Sequence, residues 1–336
     1  MTRQGVLGRA RAERAGGPQR SSEASPKLID PATLMRIGNL QLRARVVVEG
    51  FLSGLHRSPY HGFSVEFTEY RQYTPGDDPR YLDWKLYART DRYYLKRFED
   101  ETNLRVWLLV DLSRSMSYGS VGYDKASYAK TAAATLGYFL SLQRDAVGLI
   151  TFDAQVHDYL PARYRPGHLH RLMMLLERSC GGSATDLASP LAQVAQLAHK
   201  RGMVVLLSDL LAPPPTLRQP LGYLRARGHE VIVMRVIDPA ERDFPFREAA
   251  LFRDLESGRE LYVDPELARD RYRQRLAEHE AQVQQICHAL GIEWVSLPTD
   301  QPLELALFDL LAARLSRSRR GVVRRAPPTS RTSGGR

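Results

Sequence analysis

The chain has 336 residues, 43% hydrophobic and 26% charged, which is enough apolar material for a sizeable core and excludes a fibrous or wholly disordered protein. Its formal charge of +10 invites a nucleic-acid or membrane reading, but the excess sits at the ends. Residues 1–27 hold six Lys or Arg against two acids, residues 314–336 hold eight Arg and no acid, and residues 28–313 are nearly balanced with 34 bases against 36 acids.

In chain order, residues 1–27 are rich in Gly, Ser, Arg and Ala with scarcely any large apolar side chain. They are expected to be a disordered basic tail, because nothing there offsets the entropy of ordering. Residues 28–103 are aromatic and strongly charged without a clear period, and are expected to form an appended, β-rich layer. From Leu104 compact apolar runs alternate with helical patterns, the form of strands and crossover helices in a parallel sheet covered on both faces. The predicted strands are Leu104–Leu112, Ala146–Phe152, Met203–Ser208, Glu230–Ile237 and Ile292–Leu297. The predicted helices are Asp124–Gln143, Asp186–Lys200 and Pro265–Leu290, each with an apolar stripe. Residues 104–313 therefore read as an α/β domain, a doubly wound, mostly parallel sheet flanked by helices. Residues 314–336 read as a second disordered basic tail.

Two cysteines, Cys180 and Cys287, cannot build a disulfide framework, and Cys287 lies on the stripe of the last helix as a buried thiol. No run approaches the roughly 20 apolar residues that cross a bilayer, and no secretion signal opens the chain, so a cytoplasmic protein is expected.

The first strand of the domain ends in Asp111-Leu112-Ser113-Arg114-Ser115. Residues two apart in an extended or looping chain turn to one side, so Asp111, Ser113 and Ser115 can present oxygens to one point at the carboxyl edge of the sheet. Ligands of open α/β sheets bind at that edge. Thr185, after Gly181-Gly182, and Asp209, after the strand Met203–Ser208, belong to loops on the same edge. An oxygen-only set of two carboxylates and three hydroxyls suits a hard divalent ion, magnesium or manganese, and disfavours zinc. Neutral hydroxyls leave such an ion electrophilic and ready for water or an external anionic oxygen.

This order of D-x-S-x-S, then Thr, then Asp resembles the metal-ion-dependent adhesion site of von Willebrand factor type A domains. The resemblance implies that Asp111, Ser113, Ser115, Thr185 and Asp209 hold the ion and that a partner's carboxylate completes its coordination. In this chain Ser183 is an alternative to Thr185, and Leu210 stands where the resembling pattern carries a glycine after Asp. Upstream, Gly62, Glu66-Phe67, Arg71-x-Tyr73, Pro75-Gly76-Asp77-Asp78, Arg80, Asp83-Trp84-Lys85, Ala88-Arg89 and Glu101 look like the bacterial domain-of-unknown-function 58 family. That resemblance implies a von Willebrand factor A-like protein that acts as an adaptor or chaperone partner of a MoxR-type AAA+ ATPase. Asp83, Trp84, Lys85 and Arg89 are candidate partner contacts, since Trp and Arg anchor interfaces; an ion-pair lattice fastening residues 28–103 to the domain is the structural alternative.

The favoured function is thus a non-enzymatic, metal-assisted protein-interaction module. No G-x-x-x-x-G-K-[ST] loop is present, so the chain is not expected to hydrolyse nucleotide itself. A metal-dependent phosphoryl hydrolase is a second reading. Against it, the residue two after Asp111 is Ser rather than Asp, and His157, His168, His170 and His199 form no recognisable triad. Nucleic-acid binding through Arg317, Arg319, Arg320, Arg324 and Arg325 is a third, with a solvated tail as the more ordinary account.

Overall fold

The computed structural model describes residues 28–55, 70–72, 94–96, 104–178, 187–198, 200–255 and 258–308. The expected tails, Asp83, Trp84, Lys85, Arg89, and the loop with Ser183 and Thr185 lie outside the described residues.

A six-stranded sheet organises the fold. Its strands are β3 (Arg105–Asp111), β4 (Ala146–Phe152), β5 (Val156–Arg163), β6 (Met203–Ser208), β7 (Glu230–Ile237) and β10 (Glu293–Pro298), in spatial order β10-β7-β6-β3-β4-β5. Every pairing is parallel except β4 with β5, which closes one edge antiparallel. The mostly parallel α/β sheet expected from the alternating pattern is the one observed, with each predicted strand within a residue or so of its observed ends. The pattern missed β5, whose one-sided burial gives a weaker apolar signal than the buried runs of its neighbours.

Alternation along β3 divides the core. Val106, Leu108 and Val110 face one layer, and Trp107 and Leu109 the other. The first layer is covered by α3 (Lys125–Leu142) and α4 (His168–Glu177), the second by α5 (Ala188–Leu197), α6 (Pro214–Ala226) and α8 (Pro265–Ala289). The start of α3 is set by Asp124, whose carboxylate accepts the Ser127 N–H at 2.7 Å. Cys287 is buried on α8, among the side chains of the second layer. An antiparallel hairpin, β8 (Ala250–Arg253) with β9 (Glu260–Val263), is inserted before α8.

The segment before β3 requires a correction. Where described, residues 28–55 are helical rather than β-rich, forming α1 (Pro31–Met35) and α2 (Leu40–Leu55). The only strands described before β3 are the short pair β1 (Tyr70–Gln72) and β2 (Tyr94–Lys96). Nor is α2 a separate layer, since Ala44, Val47, Val48 and Phe51 join the same core as α3. The helical spacing of these four residues was obscured by the aromatic, charged stretch that follows. Phe51 packs edge-on to Phe139 on α3 (centroids 5.7 Å apart) and to Phe308 (4.7 Å).

A second tie joins this segment to the chain's far end. Glu304 is buried, its Oε1 accepts the Ile29 N–H at 2.9 Å, and its Oε2 has no hydrogen-bond partner among the described residues. Burial raises its pKa above the usual glutamate value.

Phe51→Ala should destabilise the protein by about 3–5 kcal/mol in urea denaturation, the usual cost of removing a buried ring. A loss below about 1 kcal/mol would mean that α2 is not part of the domain core. Glu304→Gln tests the buried carboxyl. The folded state holds the Glu304 proton more tightly than the unfolded chain does, so wild-type stability falls as pH rises through and above the ordinary glutamate range. The stability advantage of Glu304→Gln over wild type should therefore grow between about pH 4 and pH 7; a difference independent of pH would refute the assignment.

Candidate functional site

The strand order reverses beside β3, since the chain passes from β3 to β4 on one side and returns to β6 on the other. This is the topological switch point, where splayed loops leave a crevice at the carboxyl ends of the strands. Val110 of β3 is in register with Leu207 of β6, which makes Asp111 and Ser208 the next pair outward. The two residues have the same parity along their strands, so both point into the same layer.

The side chains meet accordingly. Asp111 is completely buried; its Oδ2 accepts the Ser208 hydroxyl at 2.5 Å and its Oδ1 accepts the Ser113 N–H at 2.9 Å. Burial, reinforced by the neighbouring Asp209 charge, pushes the Asp111 pKa up to about 7, although the bonds from Ser208 and Ser113 act the other way. The chain then enters a single turn of 3-10 helix, Arg114–Ser117, which brings the hydroxyls of Ser113 and Ser115 within 3.1 Å of each other. Of the five expected ion ligands, Asp111, Ser113, Ser115 and Asp209 are thus gathered at one edge. The fifth, Thr185, lies outside the described residues, as does its alternative Ser183.

Asp209 has a partner that the sequence reading did not foresee. Lys125, the first residue of α3, is fully buried and places its Nζ 2.9 Å from Asp209 Oδ2 and 2.6 Å from Glu241 Oε1. Burial acts to lower the Lys125 pKa, but the two carboxylates outweigh it and the net shift is upward. Glu241 is held from its own side as well. It belongs to a capping box with Asp238 at the start of the short helix α7 (Pro239–Asp243). The Asp238 carboxylate also accepts the N–H and hydroxyl of Ser120, which latches the loop after β3 to the end of β7. The sequence did carry a signal for Lys125. It is one of only six lysines, and it sits at helical spacing from Ala129, Ala132, Ala133 and Leu136, on the stripe that α3 buries.

The donor set fits a hard cation at Asp111, Ser113 and Ser115. All its atoms are oxygen, and among the described residues of the cluster the carboxylates of Asp111, Asp209 and Glu241 outnumber the ammonium of Lys125. Among the described residues no group of three or more His, Cys, Asp and Glu is disposed to hold a metal, so an ion here has to rely on the serine hydroxyls. Next to this cluster a cleft of about 600 Å³ is lined by Ser115, Tyr118, Glu241, Phe244, Phe252 and Tyr272, among others. Its aromatic wall is built by Phe244 against Tyr272 (4.7 Å) and Phe246 against Phe252 (5.0 Å).

Fold and site together define a doubly wound α/β protein with a polar, partly charged cluster at its switch point. The chain belongs to the DUF58 family, described as "Protein of unknown function DUF58", which matches residues 69–282. It is 31% identical over 299 residues to the uncharacterized protein Rv1480 of Mycobacterium tuberculosis, covering 88% of this chain and 92% of that one. Similar solved structures include BatB of Bacteroides thetaiotaomicron, at 16% identity and a TM-score of 0.44, covering 64% of this chain and 99% of that one. The SpRpn10 VWA domain is another, at 15% identity and a TM-score of 0.36, covering 60% of this chain and 92% of that one. No described helix is long and apolar enough to cross a membrane.

The position after Asp209 is strained. Leu210 has φ +54, a left-handed conformation that glycine adopts without cost. It is held there by the Ser208 hydroxyl, which accepts the Leu210 N–H at 3.1 Å, by His279, whose Nε2 donates to the Leu210 carbonyl at 2.9 Å, and by burial of the leucine side chain. Leu210→Gly relieves about 1 kcal/mol of strain but empties a buried leucine site worth roughly 3 kcal/mol or more. The expected outcome is a net loss of about 2 kcal/mol in thermal or urea denaturation, and a more stable variant would show that strain outweighs packing here.

Proposed function

We propose that the protein is a non-enzymatic, metal-assisted interaction module that docks a protein partner across the carboxyl edge of its sheet, and that this partner is a MoxR-type AAA+ ATPase. The observation that carries the reading is the oxygen-only cluster of Asp111, Ser113 and Ser115 at the switch point. Within it a buried carboxylate accepts the Ser113 N–H, and the hydroxyls of Ser113 and Ser115 lie 3.1 Å apart. A magnesium or manganese ion held by these residues would supply a Lewis-acidic contact for an anionic oxygen of the partner. The protein's own residues do the rest. Ser208 and the Ser113 backbone N–H orient Asp111, and the latch from Ser120 to Asp238 holds the loop that carries the hydroxyls. The adjoining cleft, with Phe244, Phe246, Phe252 and Tyr272, offers the apolar surface that interfaces bury around a polar contact.

The assignment of an ATPase as partner is supported by the family-like string between Gly62 and Glu101 and by the lack of a nucleotide-binding loop in the chain itself. A cytoplasmic setting belongs to the same reading and agrees with the free, buried thiol of Cys287.

The test is co-purification from the native cell. Tagged wild type in magnesium-containing buffer should retain a MoxR-type ATPase, identified by mass spectrometry. The folded Ser113→Ala/Ser115→Ala variant, and wild type in EDTA, should lose it. Equal recovery in all three samples would remove the ion and the hydroxyl pair from the docking function, and failure of wild type to retain any AAA+ protein would defeat the partner assignment.

A further inference from the structure

Lys125 is a charged group of the cluster to which docking gives no role. It is set in place by α3, whose N-cap is Asp124, and no part of it reaches solvent. Its ammonium bridges Asp209 and Glu241. An ion bound at Asp111, Ser113 and Ser115 would draw on the same Asp209. That carboxylate is already shared, since Oδ2 accepts from Lys125 at 2.9 Å and Oδ1 from the Leu211 N–H at 3.3 Å. Asp111, held by the Ser113 N–H and the Ser208 hydroxyl, would supply the ion with one carboxylate, and Asp209 is the second carboxylate of the expected set. Two positive charges this close in a buried setting repel strongly, since little water is present to screen them.

We propose that Lys125 is a tethered cation that competes with a divalent ion for Asp209, so that the Lys125–Asp209 pair and full coordination of the ion exclude one another. The inference rests on the metal-assisted reading above and deepens it: in the ion-free state the site is closed by a lysine of the same chain. Glu241 is the ammonium's second holder and keeps it when Asp209 turns to the ion. A cavity of about 30 Å³ bordered by Asp209, Arg235, Glu241 and Tyr272 leaves room for that adjustment. A lysine serving only as structural glue between α3, β6 and α7 would show no such exchange with a divalent ion.

The experiment is manganese binding by the full-length chain. Calorimetric titration with MnCl2 should give an affinity for Lys125→Met about tenfold or more above wild type, and the gain should vanish in Lys125→Met/Asp209→Asn. Because Lys125→Met leaves two carboxylates without their cation, melting temperature is measured in parallel. Manganese should raise it in Lys125→Met by more than in wild type, while sodium chloride of equal ionic strength should not. Wild type and Lys125→Met binding manganese equally, with equal thermal shifts, overturns the competition and leaves the metal-assisted reading intact. No binding or stabilisation in either protein overturns both. If Lys125→Met remains unfolded even in manganese, the ion does not replace the ammonium and the competition is likewise overturned.

Discussion

A carboxylate at the end of a parallel sheet gives up its hydration and has to be answered from nearby, by hydrogen-bond donors or by a cation. At the switch point of this fold two such carboxylates lie at the ends of neighbouring strands, and they are answered differently. Asp111 is satisfied by neutral donors, Ser208 and the Ser113 backbone, and burial together with the neighbouring Asp209 charge raises its pKa. Asp209 is satisfied by the buried ammonium of Lys125. Breaking a buried pair of this kind costs about 3–5 kcal/mol because the remaining charge is left unanswered.

Much of the surrounding architecture follows from where that ammonium has to be. The Asp124 cap sets the first turn of α3 and so the height of Lys125 above the sheet. The Asp238 capping box sets α7 and so the position of Glu241. The Ser120 latch to Asp238 joins the loop after β3 to the end of β7, so the hydroxyl-bearing turn and the ion pair share one framework. A ligand that altered the charge balance at Asp209 would be felt by three elements at once.

The site also shows how a chain can depart from a familiar pattern without losing its geometry. Leucine occupies the position after Asp209 where the left-handed backbone favours glycine, and its burial together with bonds to Ser208 and His279 holds it there. The contact from His279 ties α8 to the site, although α8 lies far along the chain from either aspartate.

The sequence by itself determined five of the six strands of the sheet. Buried parallel strands are short, continuous apolar runs, and β3, β4, β6, β7 and β10 could be found from that property alone. It also brought Asp111, Ser113, Ser115 and Asp209 to one edge, because residues that end parallel strands share that edge whatever the rest of the chain does. The helix α2 escaped, as its stripe is short and adjoins a segment of a different character, and so did β5, exposed on one side. Only the tertiary structure decided that Lys125 faces Asp209 and Glu241. Partnership between residues 84 and 116 positions apart depends on how layers stack, and no periodicity along a single element encodes it. The sequence placed a lysine on a buried stripe; the packing of α3 against the strand ends gave it its counter-charges.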